Sequence, residues 1–337
     1  MKAIILNSNL GTRFRFGKAM GAFTEETHNT QKTTSEYLHS DTLWSALVNA
    51  WTLTNPETVN KFISACNRGE FKLTSAFYSY HLNREDNSVI YFLPKPVSLN
   101  LSNFAEPKRL KRIKFISKGV WESGLMPEDW FDKEKCTLLQ KESIVALRGE
   151  INESVDLYAI ETAAKTSARN ITDREDVFYF QTDLYLMDRV KWYFLVESNM
   201  SEELQKDFQT AMSSLINLGI GGERTTGCGS LSGYYETDFD IELKESSQNE
   251  TVQASLSLVA PTQDELCDDD IYQTIKRGGR FFEKGKSLPM IQMLLEGAVL
   301  DKSVKGRIVE LNNNPKILRY GLNYMIPLHS NFYTSKF

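Results

Sequence analysis

Apolar and polar positions along this chain switch between two periods, and the switches mark its elements. Residues 3–6 form a short apolar run closed by Asn7-Ser8-Asn9 and Gly11, the pattern of a buried strand bounded by turn residues. Residues 17–37 are polar, rich in Gly, Thr and Asn and without a period. They predict a long loop, and loops of that length are usually functional. Leu43, Trp44, Leu47, Val48 and Trp51 then fall on one helical stripe, with Ser40 placed as N-cap and Asp41 in the first turn. A second helical piece follows, capped by Asn55, opened by Pro56 and carrying Val59, Phe62, Ile63 and Cys66 on one face. Residues 71–80 and 89–93 read as strands around a turn at 83–87, and residues 177–186 and 192–197 as two more.

The clearest helix covers 201–218, with Leu204, Phe208, Ala211, Leu215 and Leu218 on its apolar face and Glu202 and Glu203 at its positive end. It stops at Gly219, and 231–239 reads as a strand. Residues 242–251 are polar and suit a linker, after which Val252, Ala254, Leu256, Leu258 and Ala260 alternate strictly and begin a second domain. Beyond them short apolar runs are punctuated by glycines, as strands and turns are. The expectation is an α+β chain with antiparallel sheets carrying helices on one face, divided into 1–240 and 241–337, with an insertion around 91–150.

Composition narrows this picture without redrawing it. A length of 337 residues suits about two domains. Hydrophobic residues at 41% and charged residues at 25% exclude disorder, collagen and coiled coil. With 39 basic and 44 acidic residues the net charge is −5, which excludes a histone-like uniformly basic binder and leaves room for a local basic groove. The four cysteines contain no C-x-x-C pair, and none of the four histidines stands three or four residues from another. Neither a disulfide framework nor a zinc site fits, and no cofactor is expected. No apolar run of about 18 residues occurs and the start turns polar early, so a cytoplasmic chain without membrane contact is expected.

The most informative chemistry lies at residues 219–229, with five glycines in eleven positions. Such a turn brings a ligand close to the main chain and forms an anion-binding nest of amides, which Arg224, Thr225 and Thr226 would complete as a phosphate site. There is no Gly-Lys-[Ser/Thr], and a helix precedes the loop, so a P-loop is excluded. The alternative is a tight corner between helix and strand. A second signal is the run Lys108, Arg109, Lys111, Arg112, Lys114 and Lys118, with no acidic residue among them. It is either a phosphate-tracking surface or a solvated face. Asp268-Asp269-Asp270 does not converge on one point as a helix or strand, and reads as a solvated turn.

The helix–glycine loop–strand arrangement resembles the signature of the RAMP family, the RNA-binding proteins of CRISPR effector complexes. The resemblance extends to the fourth Csm subunit of type III-A effectors over nearly the whole chain. His39-Ser40-Asp41-Thr42-Leu43 is similar to the motif opening that family's first helix, and Phe92-Leu93-Pro94-Lys95-Pro96 to its Leu-Pro-Lys-Pro element. Arg169-Asn170 with Arg174 is similar to its central stretch, and Pro261 with Glu265, Arg277-Gly278-Gly279, Glu296-Gly297 and Arg319-Tyr320-Gly321 to its C-terminal half.

The resemblance implies two ferredoxin-like (RRM-like) domains and an inserted thumb-like region in the first, where Phe104, Phe115 or Trp121 would stack on guide bases. It implies a non-catalytic subunit gripping the 5′ handle of the CRISPR RNA between the large polymerase-like subunit and the backbone RAMP subunit (the third Csm subunit). The implied RNA contacts are His39 and Ser40 at the helix start, and Lys108, Lys111 and Arg112 in the basic run. Arg169, Asn170 and Arg174 join them at the centre, with Gly221, Gly222, Arg224, Thr225, Thr226 and Gly227 in the loop. Two rival readings stand beside it. One is a metal-independent endoribonuclease that processes precursor RNA through His39. The other is a protein scaffold whose glycine loop only turns a corner.

Overall fold

The computed structural model describes residues 1–17, 34–83, 88–99, 106–151, 154–167, 177–244, 252–280 and 287–333. The first apolar run is strand β1 (Lys2–Asn7), and β2 (Arg13–Phe14) follows. The two helical stripes become α1 (Ser40–Thr54) and α2 (Val59–Asn67). Next come β3 (Phe71–Leu73), β4 (Phe77–His81) and β5 (Val89–Pro94). The insertion holds the one-turn helix α3 (Pro107–Arg112), β6 (Phe115–Ser117), α4 (Lys118–Ser123), β7 (Cys136–Leu139) and β8 (Ile144–Leu147). Strands β9 (Tyr158–Ser167), β10 (Val177–Leu186) and β11 (Val190–Ser198) lead to α5 (Glu202–Leu218) and β12 (Gly233–Asp238).

Among the described residues the central sheet has nine strands, in the order β12-β1-β11-β4-β5-β6-β8-β7 with β3 also on β11. Within it, β1, α1, β4, β11, α5 and β12 trace a β–α–β–β–α–β path, and the neighbours β12-β1-β11-β4 are all antiparallel. α1 and α5 pack against each other, and their buried residues join those of the strands in one core. Ser201 caps α5 as its hydroxyl accepts from the Leu204 N–H, and Gly219 ends it at φ +73°.

Several expectations need correction. Ser40 is not the cap of α1. His39 holds that position with extended backbone and no side-chain cap, and Ser40 is the first helical residue. Asn55 and Pro56 close α1 and turn the chain, while Thr58 precedes α2. The region 91–150 does not stand off as a thumb, because β5, β6, β8 and β7 extend the central sheet. Phe115 is 2% and Trp121 0% exposed, and the Trp121 indole donates to the Pro327 carbonyl at 2.9 Å. Both aromatics are core rather than stacking platforms, and Phe104 lies outside the described residues. The long hairpin is instead β9–β10, paired from Tyr158↔Leu186 to Ser167↔Val177 and joined by β2.

The C-terminal part contributes β13 (Gln253–Ser255), β14 (Thr274–Arg280), β15 (Ser287–Leu294), β16 (Val309–Asn313), β17 (Lys316–Arg319) and β18 (Met325–Pro327). They form three two-stranded sheets, and no α-helix occurs among its described residues. The second ferredoxin-like unit expected there has no counterpart among those residues. Its apolar runs are short and glycine-bounded, and none sustains a 3.6 period. Part of its core is shared: Ala254, Leu256, Tyr320, Tyr324 and Ile326 merge with the main one, and Tyr320 tilts against Trp44 of α1 at 5.7 Å, while Val259, Leu294, Ala298, Leu300 and Val304 form a cluster of their own. No helix among the described residues is long and apolar enough to cross a membrane.

Candidate nucleic-acid interface

The start of α1 is driven into the C-terminal part by three successive polar residues. The His39 imidazole meets the Glu296 carboxylate at 2.9 Å through Nδ1 and the Ser35 hydroxyl at 3.3 Å through Nε2. The Ser40 N–H donates to the Ser75 hydroxyl at 2.8 Å, while the Ser40 hydroxyl accepts from the Leu258 N–H at 3.0 Å. Asp41 accepts a two-pronged bond from Arg277, with Nε to Oδ2 at 2.9 Å and Nη2 to Oδ1 at 2.8 Å, and a further bond from Arg319. Tyr37 adds a bond to Glu296 at 3.0 Å, and the Ser75 hydroxyl donates to the same carboxylate.

Burial pushes both carboxyls up, and their partners more than reverse it. The Arg277 and Arg319 guanidinium groups hold Asp41 down at about 2. The charge and hydrogen bond of His39, with the Ser75 hydroxyl, hold Glu296 below its ordinary value. A buried carboxylate needs such partners to stay ionised. Thus Arg277, Glu296 and Arg319 converge on the residues that open α1, across more than two hundred positions of sequence. This corrects the placement of His39 and Ser40 as surface RNA contacts: they are 4% and 0% exposed. Their polar atoms are occupied within the chain.

Beside this network lies a groove of 320 Å³, walled by Asp41, Ser45 and Asn49 of α1, by Gly219, Gly221 and Arg224 of the glycine loop, and by Arg277 and Arg319 of the C-terminal hairpins. Among the described residues three arginines face it against one carboxylate. That makes it a local cationic site in an acidic chain. Arg224 is exposed and has no ion pair with another described residue, and the buried Arg319 Nε has no hydrogen-bond partner among the described residues. Sequence reasoning had singled out Arg277 and Arg319 only as motif residues. Their role here was invisible because it depends on β14 and β17 folding back onto α1.

The glycine loop divides into a braced base and an exposed tip. At the base, a Cβ on Gly229 would lie 1.8 Å from the Ile220 carbonyl oxygen, and one on Gly221 2.5 Å from that of Arg15. The Gly222 amide donates to Arg15 and the Gly229 amide to Arg13, tying the loop to the strand before the long loop. Those amides are therefore spent within the chain, which removes Gly222 from the expected nest. The tip is a 3₁₀ turn at Arg224–Thr226 preceded by Glu223 at φ +57°. Residues 222–227 are exposed, and the amides of Arg224 and Thr225 carry no hydrogen bond to a described residue. The Thr226 hydroxyl donates to the Glu223 carbonyl at 2.8 Å within the turn, and Gly227 has open space around it.

The basic run also separates into two sets. Arg109 is clamped by Glu142 at 2.7 Å and lies 4.0 Å over the Phe131 ring, Lys114 pairs with Glu36 and Lys118 with Glu122. Lys108, Lys111 and Arg112 of α3 are exposed and have no ion pair with a described residue. Arg169, Asn170 and Arg174 lie outside the described residues, in the chain between β9 and β10. In the acidic triplet, Asp270 is 4% exposed and accepts from the Cys267 and Asp301 amides, fixing a turn.

Residues 248–328 match the family model of the CRISPR Csm4 C-terminal domain. Among solved structures, a chain of the Csm3-Csm4 subcomplex in the type III-A CRISPR-Cas interference complex is similar at a TM-score of 0.67 and 20% identity, over 98% of this chain and 100% of that one. Chains of the Csm1-Csm4 cassette are similar too. The form in complex with AMPPNP has a TM-score of 0.56 at 18% identity and the form with cA4 0.55 at 15%, each covering 97% of both chains. No curated protein matches the sequence.

Proposed function

We propose that this chain, a Csm4-type CRISPR subunit by its C-terminal domain and its fold, binds single-stranded RNA in the groove between the glycine loop and Arg277 and Arg319. The observation that carries the reading is that groove: the exposed Arg224, without an ion pair to a described residue, and the loop-tip amides share one recess with Arg277 and Arg319, whose two charges Asp41 offsets only in part. Arg224 and the Arg224 and Thr225 amides would hold phosphates. Thr226 and Gly227 flank them, and Gly221 keeps the loop close to Arg15. Arginine forks suit phosphate oxygens, and the tip adds main-chain donors. The occupant is the 5′ handle of a CRISPR RNA in a type III-A effector, where the chain joins the large subunit to the backbone RAMP subunit. Lys108, Lys111 and Arg112 extend the cationic surface, with Arg169, Asn170 and Arg174 as further contacts. The β1–α1–β4–β11–α5–β12 path supports a ferredoxin-like unit in 1–240, with 241–337 closing over it.

The role is anchoring rather than cleavage. The rival nuclease reading needs His39 to reach an RNA 2′-hydroxyl, and His39 is instead buried against Glu296. The test is a titration of labelled RNA with authentic or scrambled handle across a salt series, with the large subunit present, and products run on a denaturing gel. Handle-selective binding without cleavage is expected. Arg224→Ala should weaken it several-fold and flatten the log K against log salt slope by about 1. An unchanged affinity and slope in Arg224→Ala overturns the groove. Cleavage lost in His39→Ala overturns the anchoring role.

A further inference from the structure

A second recess borders Tyr37 and Glu296 and shares no lining residue with the arginine groove. It measures 560 Å³ and is bounded by the Leu-Pro-Lys-Pro element, by α3 and the strand after it, and by Gln273 and Leu295 of the C-terminal part. We propose that this cleft is a nucleotide site, taking one nucleoside monophosphate unit with its phosphate on Lys95 and Lys111 and its base on the apolar wall. The site is separate from the arginine groove and the inference stands independently of it.

Lys95 is the reason to look for a ligand. It is part-buried, and its ammonium spends one donor on the Leu110 carbonyl at 2.8 Å. No described carboxylate lies within ion-pair distance of it, and burial alone pulls it down to about 8. A cation withdrawn from water without a counter-charge is unfavourable unless an anion completes it, and such uncompensated groups cluster at binding sites. Glu296 also borders the cleft, but His39, Ser75 and Tyr37 already engage its oxygens. Lys114 is held by Glu36 at 2.7 Å. Lys111 stands exposed on the rim, one side of the phosphate position.

Size and lining choose the ligand class. A bare inorganic anion would leave most of the recess empty. Pro94, Pro96, Leu99, Phe115 and Tyr37 supply an apolar wall that such an ion would not use. Small-molecule sites are typically apolar recesses of about 300–1,000 Å³ with a few placed polar groups. A planar base joined to a phosphate uses both parts, and the exposed Gln273 amide on the rim offers a donor and an acceptor to its edge. The unit could arrive as a free nucleotide or as one splayed residue of an RNA strand.

The test is ligand-observed NMR on the full-length chain with AMP, adenosine, inorganic phosphate, a tetranucleotide RNA and an aspartate-rich peptide. Saturable AMP binding is expected, tighter than phosphate or adenosine. Lys95→Met, which keeps the volume and removes the buried charge, should weaken it about tenfold or more, with the thermal midpoint held or raised. Lys111→Ala, on the exposed rim, should weaken it by a smaller factor and serves if Lys95→Met misfolds. Lys61→Ala, at an exposed position of α2 outside both recesses, should leave AMP binding unchanged. Tighter binding of the tetranucleotide that is lost in Lys95→Met marks an RNA source, and Lys95-dependent binding no tighter than that of AMP a free nucleotide. Absent AMP binding, AMP affinity indifferent to Lys95, or phosphate binding as tightly as AMP each overturns the proposal. So does a peptide that binds more tightly through Lys95, which would make the cleft a protein-docking site.

Discussion

Asp41→Asn is expected to lower folding stability by about 3–5 kcal/mol, measured by urea unfolding near neutral pH, because it leaves the buried Arg277 and the part-buried Arg319 without their anion. Arg277 and Arg319 reach Asp41 from strands more than two hundred positions away, so the change loosens the closure of the C-terminal part over α1. Arg277→Met added to Asp41→Asn should recover part of the loss, since removing both charges of a buried pair is milder than removing one. The pH dependence has a definite sign. Asp41 sits at about 2 when folded against an ordinary 3.8. Its contribution is therefore complete above the ordinary value and is lost as pH falls toward the folded one. Wild-type stability should drop through that acid window, and the Asp41→Asn curve should be flatter there. A loss below about 1 kcal/mol in the single variant would refute the network's role in joining the halves.

Gly229→Ala carries the second large effect. The new Cβ would stand 1.8 Å from the Ile220 carbonyl oxygen in a backbone at φ +72°, so the base of the glycine loop has to rebuild. A non-glycine residue in that region is unfavourable by about 1–3 kcal/mol before any clash. The expected result is a stability loss of at least that size, together with a larger fall in RNA affinity than Arg224→Ala produces. Gly222→Ala is the internal comparison. Its Cβ would find nothing nearer than the Arg15 carbonyl at 3.8 Å, and its φ is not positive. Stability should stay within about 0.5 kcal/mol of wild type. RNA affinity lost in Gly222→Ala at unchanged stability would place the RNA backbone directly on the loop. Equal, small effects at both glycines would contradict the braced base.

The elements themselves were legible where one period ran long enough. The α1 stripe of Leu43, Trp44, Leu47 and Trp51 is buried as its spacing requires, as is that of Leu204, Phe208, Ala211 and Leu215 in α5. The short run 3–6 is a central strand, and the glycine cluster does follow a helix and precede a strand. What misled were residues whose partner lies far away in sequence. Ser40 has the composition and place of an N-cap, yet its hydroxyl is engaged by Leu258. His39 has the chemistry of a general base or an RNA ligand, yet Glu296 waits opposite it. Phe115 and Trp121 read as exposed only because nothing nearby announces the strands that bury them.

Likewise, six basic residues in one run are indistinguishable on paper, and only packing shows that Glu142, Glu36 and Glu122 neutralise Arg109, Lys114 and Lys118. The sequence by itself therefore determined helix faces, the central strand, the glycine loop's setting and the family resemblance, because local periodicity and turn chemistry act over a few residues. The tertiary structure alone decided which motif residues are core and which face solvent. That depends on long-range pairing of charges and hydrogen bonds, which a buried carboxylate or guanidinium demands and no local pattern records.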